Sequence, residues 1–285
     1  MSFDANAYRE RSLESWEEAA SGWVRRQAAL RELAAPVSHW MIDAIQPQPG
    51  QRVLELAAGL GETAMLAAEL VAPLGGVVVS DQAEAMLVGA RERAAELGIA
   101  NVEFQVLNAE WIDLPLASVD AVLCRWGYML MADPGAALSE TRRVLRPGGR
   151  LALAVWDELA ANPWMSMPAQ ELVERGLAPP SAAAAGAPGP FALAGDGLVG
   201  ALLADAGFVD VELDTLELVR RHPSFEDFWE VTLDLSRSFH DAVLACPAEQ
   251  IAEIRGSLER RLTPYSGPGG ALAVPGRTLV AAARA

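Results

Sequence analysis

Residues 53–64 read Val53-Leu54-Glu55-Leu56-Ala57-Ala58-Gly59-Leu60-Gly61-Glu62-Thr63-Ala64. A short apolar run enters a Gly-x-Gly turn and continues into a helical pattern, as a buried strand joined to a helix does. Gly59 and Gly61 let the backbone come close to a ligand, because no Cβ stands in the way. The helix start adds unpaired N–H groups. Taken alone, the same turn also serves plain strand–helix packing.

Outward from this turn, short apolar runs alternate with helical stretches, the mark of βαβ units and a mainly parallel sheet. Strands are expected near 52–57, 76–80, 102–107, 119–124 and 150–155, with helices near 62–71, 83–97 and 134–145. Gly98 is placed to cap the second helix, and Pro147-Gly148-Gly149 to end the third. A later helix near 196–206 stops at Gly207, and strands follow near 208–219 and 277–283. The fold class is α/β: a Rossmann-like, doubly wound, mainly parallel seven-stranded sheet with N-terminal helices and helical lid insertions. Residues 1–46 form an N-terminal helical cover, with Trp16, Ala19, Ala20, Trp23 and Leu30 on one face and a break at Pro36. Residues 47–285 form the main domain, with lids near 157–194 and 224–262 and a mobile Ala-Gly-Pro tract from Ala178 to Pro190.

Composition narrows the function. The 285 residues and 52% hydrophobic content allow a large core without staples. All 22 basic residues are Arg, so no Schiff-base or P-loop lysine exists. A formal charge of −16 argues against nucleic acid and anionic membrane surfaces as partners. Cys124 and Cys246 form no framework, the first 18 residues are polar, and no run of about 18 apolar residues occurs. These features predict a cytoplasmic chain, monomer or homodimer, acting on a small molecule, with no metal because no His/Cys/Asp/Glu cluster has ligand spacing.

A second signal sits at Val77-Val78-Val79-Ser80-Asp81, a strand ending in a carboxylate 20 residues after Gly61. A carboxylate there accepts two hydrogen bonds from a ribose diol; it also suits a helix cap, and the two roles are compatible. Gly59-x-Gly61-x-x-Ala64 matches a dinucleotide turn as well. Glu55 and Glu62 flank that turn, however. They repel a diphosphate and favour a ligand carrying an ammonium group.

In order, the motifs resemble those of class I S-adenosylmethionine-dependent methyltransferases, close to the ubiquinone/menaquinone C-methyltransferase type, over roughly residues 50–156. Glu55 to Gly61 resembles the first motif and Asp81 to Leu87 the second. Asn108-Ala109-Glu110 resembles the third, with Asn where many relatives carry Asp. Ser118 to Cys124 and Leu145 to Leu151 resemble the fourth strand and the turn into the fifth. The resemblance implies S-adenosylmethionine as cofactor, held by Glu55, Ala57, Gly59, Gly61, Asp81, Gln82, Met86, Asn108, Ala109, Glu110 and Arg125. Asp81 is implied at the ribose and Asn108 with the Ala109 backbone at adenine.

Methyl transfer is an in-line displacement, so a dry pocket that aligns the partners does much of the work. Aromatic faces exclude water and attract a sulfonium. Trp126 and Tyr128 follow the fourth strand directly. With Trp23, Trp156 and Trp164 they are the candidate acceptor-binding residues, core packing being the other reading of each. Trp16 is placed with Trp23 over the cofactor, and Trp111 over the base. Arg125 suits a carboxylate of the cofactor or acceptor, or an ion pair with Glu55 or Asp81. The catalytic residue is unknown; His222, beside Pro223, is a weak candidate for a general base. The alternatives are an NAD(P)-dependent oxidoreductase and a non-catalytic S-adenosylmethionine-binding protein.

Overall fold

In the computed structural model, residues 3–178, 187–195 and 197–285 are described. Helices α1 (Ala5–Arg25) and α2 (Gln27–Ile45) precede strand β1 (Arg52–Glu55). Then follow α3 (Glu62–Val71), β2 (Gly76–Asp81), α4 (Glu84–Leu97), β3 (Val102–Val106) and β4 (Val119–Arg125). Next come α5 (Pro134–Val144), β5 (Leu145–Trp156), α6 (Pro163–Glu174), α7 (Leu198–Asp205) and β6 (Val209–His222). Helices α8 (Phe225–Leu235), α9 (Arg237–Leu244) and α10 (Ala248–Leu262) lead to the last strand, β7 (Leu272–Arg284). Residues 179–186 of the Ala-Gly-Pro tract lie outside the described residues.

The sheet order is β3-β2-β1-β4-β5-β7-β6. β1 to β5 are parallel, and β7 runs antiparallel to both β5 and β6. The chain moves outward from β1 through β2 to β3, then returns to lay β4 on the other side of β1. That reversal opens a crevice at the carboxyl ends of β1 and β4. The central strands are apolar along their length because helices cover both faces. Val53, Leu54, Val77, Val78, Val79, Ala121, Val122, Leu123 and Cys124 are all buried.

The N-terminal helices depart from the expected break. Helix α2 runs through Pro36, and the interruption falls at Arg26 instead. A proline inside a helix costs about 3 kcal/mol. Val37, Met41 and Ile45 are fully or almost fully buried against the sheet. Burial of each contributes about 1.5–3 kcal/mol, which outweighs the defect. Helix α1 crosses to α4 and α8. Gly22 permits this docking, since a Cβ there would stand 2.2 Å from the Asp234 carbonyl oxygen.

Strand β5 starts earlier than expected because residues around Gly148 pair with the chain end. Gly148 N–H donates to the Ala285 carbonyl, and Ala285 N–H to that of Gly149, each at 2.9 Å. Gly98 caps α4 in the left-handed conformation, with φ 67°. Helices α6, α8, α9 and α10 share a small core of their own, built from Leu172, Trp229, Phe239, Val243, Ile254 and Leu258.

Candidate functional site

The turn after β1 requires left-handed backbone at Ala57 (φ 50°), Gly59 (φ 55°) and Gly61 (φ 75°). The two glycines serve different ends. A Cβ at Gly61 would stand 3.2 Å from Met65 Cε and 3.3 Å from Ala90 Cβ, so this glycine lets α3 and α4 pack. A Cβ at Gly59 would face the Trp23 ring at 3.9 Å across the cleft. Gly59 lines the cleft and Gly61 lies behind it. Gly127 admits a third close approach, because a Cβ there would meet Ala57 Cβ and Cys124 Sγ at 2.7 Å.

Two carboxylates fix the turn from below. Asp81 Oδ2 accepts the Gly59 N–H at 2.9 Å, and Oδ1 accepts the Ala83 N–H at 3.0 Å. Burial raises the Asp81 pKa, while the N–H groups of Ala83, Gly59 and Gln82 oppose the rise. The carboxylate lines the cleft and keeps acceptor capacity beyond these N–H groups. Glu55 is 1% exposed and does not line the cleft. Its Oε2 accepts the Ala64 N–H at 2.8 Å, in the first turn of α3. Burial pushes its pKa up to about 7, against the pull of Arg125. The N-terminus of α3 therefore already carries an acid. Glu62 in the same turn pairs with Arg93 at 3.2 Å. A diphosphate finds no electropositive helix end here.

Arg125 lines the cleft, donates from Nε to Thr63 Oγ1 at 3.2 Å and lies 4.8 Å over the Trp126 ring. Burial lowers its pKa, and Glu55 opposes that shift. Asn108 Oδ1 accepts the Glu110 N–H at 2.8 Å. Gln82, Met86, Asn108, Ala109 and Glu110 all reach the cleft.

Helix α1 closes the open side. Arg9 donates to Glu110 Oε2 at 2.6 Å, and Tyr8 OH donates to the Leu130 carbonyl at 2.8 Å. Ser12 Oγ accepts from Gln82 Nε2 at 3.2 Å. Ala83 offers α4 no side-chain cap. Glu17 takes that place, accepting the N–H groups of Glu84 at 2.7 Å and Ala85 at 3.0 Å. Trp16 and Trp23 meet edge to face at 5.3 Å, both lining the cleft. Trp23 Nε1 is buried without a hydrogen-bond partner, and the far edge of its ring faces Gly59. The enclosed volume is about 110 Å³. Ligand pockets are usually about 300–1,000 Å³; here the side chains of α1 take up much of the opening.

The aromatic candidates separate. Trp126, held in a left-handed conformation (φ 60°), lines the cleft and donates from Nε1 to Thr278 Oγ1 at 3.0 Å. Trp156 stacks behind it at 4.2 Å, and Trp164 meets Trp156 at 5.0 Å, so both form a second layer. Tyr128 is fully buried with its OH 2.7 Å from Thr141 Oγ1, inside the core. Trp111 is 60% exposed and lies under Arg9, outside the cleft. His222 lies at the end of β6 in a separate groove, with Nδ1 2.8 Å from Asp227 Oδ2. Burial lowers its pKa despite that carboxylate. Tyr8, Arg9 and Ser12 were not expected at the cleft. Tyr8 and Ser12 precede Trp16 at four-residue steps, so the apolar face of α1 extended backwards would have found them.

Residues 47–183 match the family model described as a methyltransferase domain. The chain is 36% identical over 124 residues to the ubiquinone/menaquinone biosynthesis C-methyltransferase of Xanthomonas campestris, covering 43% of this chain and 49% of that one. It is 29% identical over 147 residues to the aklanonic acid methyltransferase of Streptomyces sp. strain C5, covering 52% of this chain and 66% of that one. The chain thus spans about half the length of the curated relatives it matches. Among solved structures, the YcgJ protein from Bacillus subtilis shares the fold, with a TM-score of 0.57 at 18% identity over 87% of this chain and 97% of that one. Among the described residues, no helix is long and apolar enough to cross a membrane. Residues 47–183, which hold the glycine turn, Asp81 and Asn108, are thus similar in sequence to a methyltransferase domain.

Proposed function

We propose that this chain transfers a methyl group from S-adenosylmethionine to a small organic acceptor at an oxygen, nitrogen or carbon atom. The observation that carries the reading is a convergence on one cleft. Gly59, Asp81, Asn108 and Ala109 line it together with Trp23, Arg125 and Trp126. The residues fit the cofactor. Asp81 has lone pairs free for the ribose diol, and Asn108 with the Ala109 backbone suits the adenine. Arg125, at the cleft wall, suits the carboxylate end. Bound S-adenosylmethionine supplies an electrophilic methyl on a sulfonium.

The protein's part is to bind, orient and exclude water. Trp126 offers a ring face at the crevice, rigid because Thr278 holds its indole N–H and Trp156 backs it. Alignment of the two reactants is worth about 7–11 kcal/mol of barrier in favourable cases. In this reading the acceptor enters beside helices α6, α8, α9 and α10, which act as lids over a main domain of 47–285. The strong negative charge favours a small metabolite over nucleic acid. His222 stands away from the cleft, so positioning rather than a His222 base carries this reading. We place the protein in the cytoplasm as a monomer or homodimer.

The test is a labelled-methyl transfer screen against phenols, amines, quinones and carboxylic acids, with the product identified by mass. The reading expects one acceptor class to take the label. Tight S-adenosylhomocysteine binding with no transfer to any class would favour a non-catalytic binding protein.

A further inference from the structure

Arg220 stands at the carboxyl end of β6, half-buried, with its guanidinium carbon 3.6 Å from the centre of the Trp164 ring. Among the described residues no carboxylate reaches ion-pair distance, and Arg220 Nε is sealed without an acceptor. Burial alone pulls its pKa down to about 9. A ring face does not replace a counter-charge for a guanidinium taken out of water. The same strand face carries a second unpaired nitrogen two residues on. His222 Nε2 is buried without a partner, while Nδ1 is held by Asp227.

The place is the ligand end of the sheet. β6 runs parallel to β4, because each step through β7 reverses direction. Arg220 therefore shares the edge at which Arg125 and Trp126 stand. A row of indoles joins the two points: Trp126 on Trp156 at 4.2 Å, Trp156 against Trp164 at 5.0 Å, then Trp164 beneath Arg220. Gly276 on β7 makes room for this row, since a Cβ there would stand 2.9 Å from Trp164 Nε1.

We propose that Arg220 is the acceptor's anion site: the methyl acceptor carries a carboxylate at the end remote from the reacting atom, and Arg220 binds it. This rests on the methyltransferase reading. Arg220 supplies planar N–H donors, the geometry a carboxylate matches. Arg220 is a specificity residue, not a catalytic one.

The test titrates benzoate, naphthoate and anthracene carboxylate, each against its neutral carboxamide, into the protein with and without S-adenosylhomocysteine. At least one acid is expected to bind about tenfold or more tightly than its amide, as a charge-assisted pair requires. R220Q and R220M abolish that preference and leave S-adenosylhomocysteine affinity unchanged. R220M also melts no lower than the wild type, because it removes an unpaired charge. An acid series with no advantage over the amides overturns the proposal, as does a preference that survives in R220M or a clear loss of Tm in that variant. Cofactor binding is read separately in the same titrations, so a failure of the methyltransferase reading is distinguishable from a failure at Arg220.

Discussion

The carboxylate of Asp81 accepts the backbone N–H of Gly59 at 2.9 Å and so ties the tip of β2 to the glycine turn after β1. Its other oxygen starts α4 through Ala83. One side chain thus shapes the floor of the cleft and presents its remaining lone pairs to it. Asp81→Ala is expected to weaken S-adenosylhomocysteine binding by about 1.5–3 kcal/mol, the range for hydrogen bonds to a charged group. Isothermal calorimetry measures this, and an unchanged affinity contradicts the ribose role.

The two glycines of the turn predict different failures. Gly59→Val puts a side chain into the cleft towards Trp23, so it abolishes cofactor binding while the protein stays folded. Gly61→Val forces a strained φ of 75° against Met65 and Ala90. Its cost is about 1–3 kcal/mol of stability. Thermal melts and S-adenosylhomocysteine titrations on both variants separate the two. A Gly59→Val protein that still binds removes the close-approach argument.

Glu55 predicts a pH dependence. Its pKa is raised to about 7 from 4.5, first by burial. The folded chain holds this proton over an interval in which the unfolded chain has lost it. The resulting stability is complete below about pH 4.5 and is lost as pH rises through about 7. Glu55→Gln lacks the titration. Urea unfolding at about pH 5 and about pH 8 should show wild type losing more stability than Glu55→Gln over that rise, by up to a few kcal/mol. Equal pH slopes in the two proteins would place the titration elsewhere.

Much of this was legible in the sequence because parallel strands buried on both faces read as apolar runs between turn residues. The runs at 76–80 and 119–124 match β2 and β4 to within a residue. Pro36 misled, since local propensity cannot register the burial of Val37, Met41 and Ile45 against strands far away in sequence. Tyr128 also misled. Its neighbour Trp126 lines the cleft, but the short helical turn after β4 rotates Tyr128 into the core towards Thr141. Glu110 reads as a cofactor contact from its motif; its bond to Arg9 depends on how α1 docks, which no local pattern encodes.

That bond predicts a kinetic effect. Arg9 and Glu110 tie α1 to the wall of the cleft, and on the proposed reading cofactor exchange passes this tie. Arg9 is partly exposed, so Arg9→Ala should cost only about 1 kcal/mol of stability. S-adenosylhomocysteine release should quicken several-fold, followed by stopped-flow fluorescence of Trp16 and Trp23. An unaltered release rate would mean that ligand passes α1 by another route.

The most direct test is a pair of calorimetric titrations of the wild-type protein, one with S-adenosylhomocysteine and one with NADH. Glu55 already occupies the helix end that a diphosphate would need. The account predicts saturable binding and a raised Tm with S-adenosylhomocysteine, and neither with NADH. Binding of NADH with none of S-adenosylhomocysteine would contradict it.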